Sequence, residues 1–311
     1  MKATKLAAGL ALAFAGLSGS AQAASNIVCD MDGAGGAYAP TTISSFDWDP
    51  GNALSIGSIG SVSALPDGTS TQLVYQAALA TFNFGNTKYL APAGKEFTIQ
   101  ASFWEVGTGL GGTTAAFTFD NTKPSWVKIW YGNTDRDDKT GTGYNNGTLI
   151  LQGEVAKQSG NITNFTAMDP TNFPLVGLDQ ALGDGDDDGG VLSVQSNGGF
   201  NIDVKVNSTD SNFFKSDITS LAIGMFFNGN LHTPFDSVNP SDQVVGFTPV
   251  YGAGGAVNGV FCGTGVASCD FHFLADANNT FDAKVPEPAS MALIGLGLSA
   301  MGFAARRRRT N

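Results

Sequence analysis

Histidine is nearly missing from this 311-residue chain, with two copies, and cysteine is scarce, with three. Two histidines leave little room for imidazole-based proton transfer or metal ligation, and three thiols exclude a disulfide-dense scaffold. Charged residues make up 14%, well under the usual quarter of a soluble domain, and basic residues are the rarer sign, 16 against 27 acidic. Between the two ends there is no long 3.6-period apolar stripe with an N-cap and a glycine stop, which excludes a helical bundle or coiled coil. Glycine, serine, threonine and asparagine crowd the sequence instead, as they do in turn-rich secreted β proteins.

The acidic balance is stronger than the whole-chain charge of −11 indicates. Setting aside the basic residues Lys2, Lys5 and Arg306 to Arg309, and the one acid Glu287, leaves 10 basic against 26 acidic residues, a body near −16. Such a surface repels phosphate backbones, so no nucleic-acid partner is expected, whereas cations suit it.

Both ends read as addresses. Residues 1–23 open with Lys2 and Lys5, continue through an apolar run from Leu6 to Leu17, and finish on Ala21-Gln22-Ala23. This three-part order predicts a secretory signal peptide cleaved after Ala23. At the other end, residues 285–311 hold Pro286-Glu287-Pro288, an uncharged stretch to Ala305, and the cluster Arg306-Arg307-Arg308-Arg309. As a helix that stretch would run roughly 27 Å, just enough to span the inner membrane. Arginine clusters stay cytoplasmic, so the body would lie outside, the side to which the signal peptide also sends it.

Pro-Glu-Pro, a short apolar helix and a terminal arginine cluster together resemble the PEP-CTERM protein-sorting tail. The resemblance implies export, recognition by an exosortase-like membrane peptidase, cleavage near Pro286-Glu287-Pro288, and release or anchoring outside. A plain stop-transfer helix is the alternative, and it leaves the Pro-Glu-Pro unexplained.

The body, residues 24–284, reads as one domain. Phe97, Ile99, Ala101 and Phe103 alternate with polar residues, as do Phe200, Ile202, Val204 and Val206, so both runs are half-buried strands. Further strands are expected at 72–84, 114–119, 126–131, 148–155, 191–195, 218–227 and 244–251, with a helical turn at 179–182. Roughly ten short strands between turn signals predict an all-β fold, a single β-sandwich or jelly roll.

Cysteine arithmetic leaves Cys29, Cys262 and Cys269, all exported to an oxidising compartment. Cys262 and Cys269 are close enough in sequence to staple a loop, with Cys29 odd; a bridge from Cys29 to one of them is the alternative.

The acidic loop Gly183 to Val191 places Asp184, Asp186 and Asp188 at positions 1, 3 and 5 of a calcium loop and Gly189 at position 6, but Gln195 stands where the last carboxylate belongs. Calcium is the cation such a loop would take; an acidic solvated turn is the competing reading. A weaker copy runs from Asn133 through Asp135 and Arg136 to Asp138, and Asp47 and Asp49 flank Trp48 ahead of a turn at Asp49-Pro50-Gly51.

For catalysis the signals are poor, with no nucleophile elbow and no histidine placed beside a partner, so no catalytic residue is assigned. Glu96, Glu105 and Glu154 are the glutamates of the body, and Glu105 is the first to test in a glycan hydrolase reading. Trp48, Trp104, Trp126, Trp130, Tyr131 and Tyr144 are candidates for stacking on sugars or for core packing; Trp126, Lys128 and Trp130 share one strand face, opposite Val127, Ile129 and Tyr131.

The segments Ser45-Phe46-Asp47-Trp48-Asp49-Pro50-Gly51-Asn52-Ala53-Leu54, Leu73-Val74-Tyr75-Gln76-Ala77, Glu96-Phe97-Thr98 and Lys128-Ile129-Trp130-Tyr131 resemble the flocculation-associated PEP-CTERM proteins. The resemblance implies a non-enzymatic matrix protein that holds cells in flocs with secreted exopolysaccharide. The rivals are a secreted glycan hydrolase and a self-assembling surface protein.

Overall fold

The computed structural model describes residues 25–60, 67–109, 114–136, 142–163, 197–228 and 268–283. These form twelve strands: β1 (Ile27–Cys29), β2 (Thr41–Ile43), β3 (Ser45–Gly60), β4 (Ser70–Phe84), β5 (Thr87–Tyr89), β6 (Lys95–Thr108), β7 (Thr114–Phe119), β8 (Trp126–Asn133), β9 (Thr148–Thr163), β10 (Asn197–Thr209), β11 (Ile218–Asn228) and β12 (Ser268–Ala283). No helix occurs among the described residues. The strands expected at 191–195 and 244–251 and the turn at 179–182 lie outside them.

The architecture is a closed eight-stranded barrel rather than a sandwich or jelly roll. Going round it, β3 pairs with β4, β4 with β6, β9 with β10, β10 with β11 and β11 with β12, and β12 returns to β3, every pair antiparallel. Between β6 and β9 one stave is made of two strands end to end, β8 beside Lys95–Ser102 and β7 beside Glu105–Thr108. The break between them is Asp120 to Ser125, a turn in which Asp120 accepts hydrogen bonds from Thr122 N (3.0 Å) and Ser70 Oγ (2.7 Å). Sandwich and barrel demand the same inward-outward alternation, so the pattern of single strands does not separate them. Closure by β3 and β12 does, and it leaves the barrel itself no open edge.

Two of the staves carry the largest surprises. Asp49-Pro50-Gly51, expected as a turn, is a bulge inside β3: Trp48 pairs with Leu79 and Asn52 with Gln76. The bulge is where a proline is tolerated within a sheet, because an unpaired residue needs no N–H donor. Gly51 is required there, since a Cβ would strike the Gln76 carbonyl and the Ala77 side chain. β12 reads as polar, Asp276-Ala277-Asn278-Asn279, yet Asn279 turns inward and its Oδ1 accepts from Trp48 Nε1 at 2.8 Å.

The interior is filled by side chains of all staves, among them Trp48, Leu73, Tyr75, Ile99, Phe103, Ile129, Val155, Phe200, Ile202, Leu221, Ile223 and Met225. One end is plugged. The β1–β2 ribbon lies across it, tied to the β10–β11 connection by Asp30 N donating to Phe213 O (2.7 Å) and Lys215 N to Val28 O (2.9 Å). Phe213 and Phe214 thereby enter the barrel end, where Phe46 is the hub: its ring centroid lies 4.9 Å from Phe281, 5.0 Å from Phe82 and 5.6 Å from Trp48. Cys29, in this plug, is a free buried thiol. Burial first, then the Asp30 charge, pushes its pKa up to about 12, so it is inert. Cys262 lies outside the described residues. At the opposite end lie the last residues of β9 and β11 and the first residues of β10 and β12.

Candidate functional site

Aromatic side chains are divided between core and surface by the period of each strand. Trp48 is in the core, Tyr144 is buried over β6, where its carbonyl accepts from Thr98 Oγ1, and Tyr131 packs at a tilt against Phe97 and Phe213. On β8, Val127 and Ile129 face inward, which turns Trp126, Lys128 and Trp130 outward as expected. Trp130 is only 8% exposed, however, so that face offers one half-exposed ring, Trp126, with Lys128 Nζ 4.9 Å from its centroid. Trp104 on β6 is covered in the same way by Lys123 Nζ, 5.4 Å from its ring. Both rings hold cations of the chain's own.

Glu105 is 1% exposed and points into the barrel. Its Oε2 accepts from Gln158 Nε2 at 3.3 Å, and burial pushes its pKa up to about 8. Gln158 Oε1 is buried without a hydrogen-bond partner. Protonation gives Glu105 a hydroxyl donor that a carboxylate lacks, which suits a buried carboxyl beside an unsatisfied amide oxygen. The group is enclosed by the barrel wall rather than presented to a polymer.

In the loop after β8 the described charges, Asp135 and Arg136, are used internally, and Asp137 and Asp138 lie outside the described residues. Arg136 Nη1 lies 3.1 Å from Glu96 Oε2, and Asp135 accepts from Asn146 Nδ2 through both oxygens at 3.2 Å. Glu96 is buried, and its pKa is raised by that burial against the opposing pull of Arg136. Arg136→Ala should therefore strand a buried carboxylate and cost on the order of 1–3 kcal/mol, read as a lowered urea midpoint, with Glu96→Gln in the same background restoring part of it. An unchanged midpoint would mean that the pair is irrelevant to stability.

One exterior region was not anticipated. On the outward face of β10, β11, β12 and β3 two rows lie side by side. In the first, Gly199 pairs with Phe226 and Phe226 with Asp276; in the second, Asn201 pairs with Gly224, Gly224 with Asn278, and Asn278 with Asp47. The β3 bulge sets Asp49 opposite Asp276, since Ala275 pairs with Gly51 and Ala277 with Trp48. Phe226 is 58% exposed, the only aromatic above half-exposure among the described large hydrophobics. Asp276 has its pKa raised, first by burial and then by the neighbouring charges of Asp47 and Asp49. Asp47 is met by Lys88 Nζ at 3.5 Å and by Thr81 Oγ1 at 3.4 Å. The signal in the sequence was Met225-Phe226-Phe227: with Leu221, Ile223 and Met225 inward, period two forces Phe226 out.

The remaining expected residues lie outside the described part of the chain: Ala21 and Ala23, the loop carboxylates Asp184, Asp186 and Asp188, Cys262, and the tail from Pro286 to Arg309. For the tail, comparison with known families is direct. Residues 284–309 match the PEP-CTERM protein-sorting motif. No curated protein and no solved structure matches the chain. The match covers Pro286-Glu287-Pro288, the apolar stretch and the four arginines. Its physical logic is that of a membrane-length apolar segment stopped by cytoplasmic charge. Through this tail the chain is a PEP-CTERM protein, exported, held transiently in the membrane by its C-terminal segment for exosortase processing, and then placed at the cell surface or outside the cell.

Proposed function

We propose that the processed protein is a non-enzymatic extracellular matrix component that promotes flocculation or biofilm aggregation by associating with secreted exopolysaccharide. The observation that carries this reading is the sorting tail, which delivers to the exterior a barrel with an acidic body near −16. Supporting it are the segments around Trp48, Tyr75, Phe97 and Trp130 that resemble the flocculation-associated PEP-CTERM proteins. Weak contacts repeated along a polymer make a matrix without any single tight site. Calcium held at Asp184, Asp186 and Asp188 would add bridges between protein and acidic glycan.

The test is retention of the purified body, residues 24–284, on the host's exopolysaccharide with calcium and with EDTA, together with assay of released sugar. Retention without release is the expected result, and its loss in EDTA would assign the calcium part. Sugar release would overturn the reading in favour of a hydrolase, and normal flocculation by a strain lacking the protein would overturn the cellular role.

A further inference from the structure

We propose that the outward face around Phe226 is a binding subsite for a cationic amino sugar, a glucosamine-type unit of a polysaccharide. The proposal rests on the exopolysaccharide reading above and names a place and a sugar chemistry for it. The geometry begins with the ring itself. A Cβ built on Gly199 would lie 3.3 Å from Phe226 Cδ1, and one on Gly224 would lie 3.6 Å from Phe226 Cε2. The ring thus lies against two glycines in neighbouring strands, and no taller side chain at those positions shields it. A low surface with one proud aromatic is what the C–H face of a pyranose stacks on.

Polar groups border the ring on one side. Asp276 is its direct cross-strand neighbour, about 5 Å away at Cβ in such a pair. Asn201 and Asn278 lie one row along, on either side of Gly224, roughly 7 Å from the ring's row. The Asn278 Oδ1 would be 3.5 Å from a Cβ on Gly224, so this amide also lies over the glycine gap. Two amides and a carboxylate at the rim of an aromatic supply donors and acceptors for ring hydroxyls.

Charge selects among sugars. Asp276 lies beside Asp47 and Asp49, whose charges add to burial in raising its pKa, and Lys88 meets Asp47 at the edge of this face. An acidic glycan would add to that repulsion, whereas an ammonium beside Asp276 relieves it. The three carboxylates are spread along a strand pair; among the described residues no three His, Cys, Asp or Glu side chains are grouped to hold one metal ion. An extended organic cation fits that spread better than a bare divalent ion does.

The experiment titrates the secreted, processed protein with a glucosamine hexamer and with its fully N-acetylated counterpart at about pH 6, where the amine is charged and most carboxylates are ionised. The free-amine hexamer should bind at least tenfold tighter, and more weakly as salt is raised. Phe226→Ala and Asp276→Asn should each weaken it about tenfold or more, with Phe226→Tyr retaining affinity and all three variants keeping the wild-type unfolding midpoint. Equal binding of the two hexamers, or an unaffected Phe226→Ala, overturns the proposal. Binding of an acidic polyuronate at this face, abolished by EDTA, also overturns it, in favour of a calcium bridge. The two levels separate cleanly: if the host exopolysaccharide is retained equally by wild type and Phe226→Ala, the matrix reading stands and this subsite fails. If wild type is not retained either, the matrix reading fails.

Discussion

Raising the pH from about 4.5 to about 8 should destabilise the barrel by on the order of 4–5 kcal/mol through Glu105 alone. The sign follows from proton counting. In the unfolded chain this carboxyl titrates at its ordinary value of 4.5, and in the barrel burial holds it protonated up to about 8. Between those values the folded state carries one more proton, so stability is full below the lower pKa, falls by about 1.4 kcal/mol per pH unit, and levels off above the upper one. Burial favours the neutral carboxyl, and ionisation puts a charge into an apolar barrel with the single amide donor Gln158 Nε2 at 3.3 Å shown beside it. Glu105→Gln should remove this slope, matching wild type near pH 4.5 and exceeding it near pH 8 by on the order of 4 kcal/mol. Urea denaturation at a series of pH values measures both. A wild-type profile that is flat from pH 5 to 8 would mean that Glu105 is ionised in the folded protein. The result also bears on the hydrolase rival, since a residue whose neutralisation stabilises the fold without loss of any glycan activity is a structural acid.

Phe46→Ala should cost about 3–5 kcal/mol, enough to unfold a large share of a domain of ordinary stability. Phe46 has no exposed surface and meets Trp48, Phe82, Phe97, Phe214 and Phe281 within ring-contact distance, three of them edge-on at 4.9 to 5.6 Å. Those rings come from β3, β4, β6, β12 and the β10–β11 connection, so the lost volume cannot be closed by one strand moving inward. The denaturant midpoint should drop while the slope stays constant, and Phe46→Leu should lose markedly less. A loss under 1 kcal/mol would show that the plug is loosely packed and that closure of β3 on β12 does not depend on it. A changed slope would point to a plug that unfolds apart from the barrel.

The strand content of this protein can be read from its residues because period-two alternation is local. Phe97 to Phe103 and Phe200 to Val206 place their apolar side chains inward as that alternation requires. The sorting tail is equally local, a Pro-Glu-Pro, an apolar run and four arginines in one short stretch. β3 and β12 hid themselves because their cues are ambiguous at short range: Asp49-Pro50-Gly51 reads the same in a turn and in a bulge, and the inward place of Asn279 depends on Trp48 Nε1, which donates to its Oδ1. That partner lies 231 residues away in the chain.

Closure into a barrel and the exterior site have the same non-local origin. Which strand pairs with which is settled by fit among distant segments, and a one-residue change of register would send every side chain of a strand to the other face. The register that packs Met225 against the core is the one that exposes Phe226, and the closing pair of β12 with β3 is what brings Asp276 beside Asp47 and Asp49. The residues announced an exported, acidic, all-β protein with a sorting tail, since composition, period and short motifs carry that much. The packing of the assembled staves decided that the sheet is a barrel, that Glu105 is sealed inside it, and that one phenylalanine stands outside among amides and acids. Those outcomes depend on contacts between residues far apart in the chain, 53 positions for Glu105 and Gln158 and 231 for Trp48 and Asn279, to which no local pattern is sensitive.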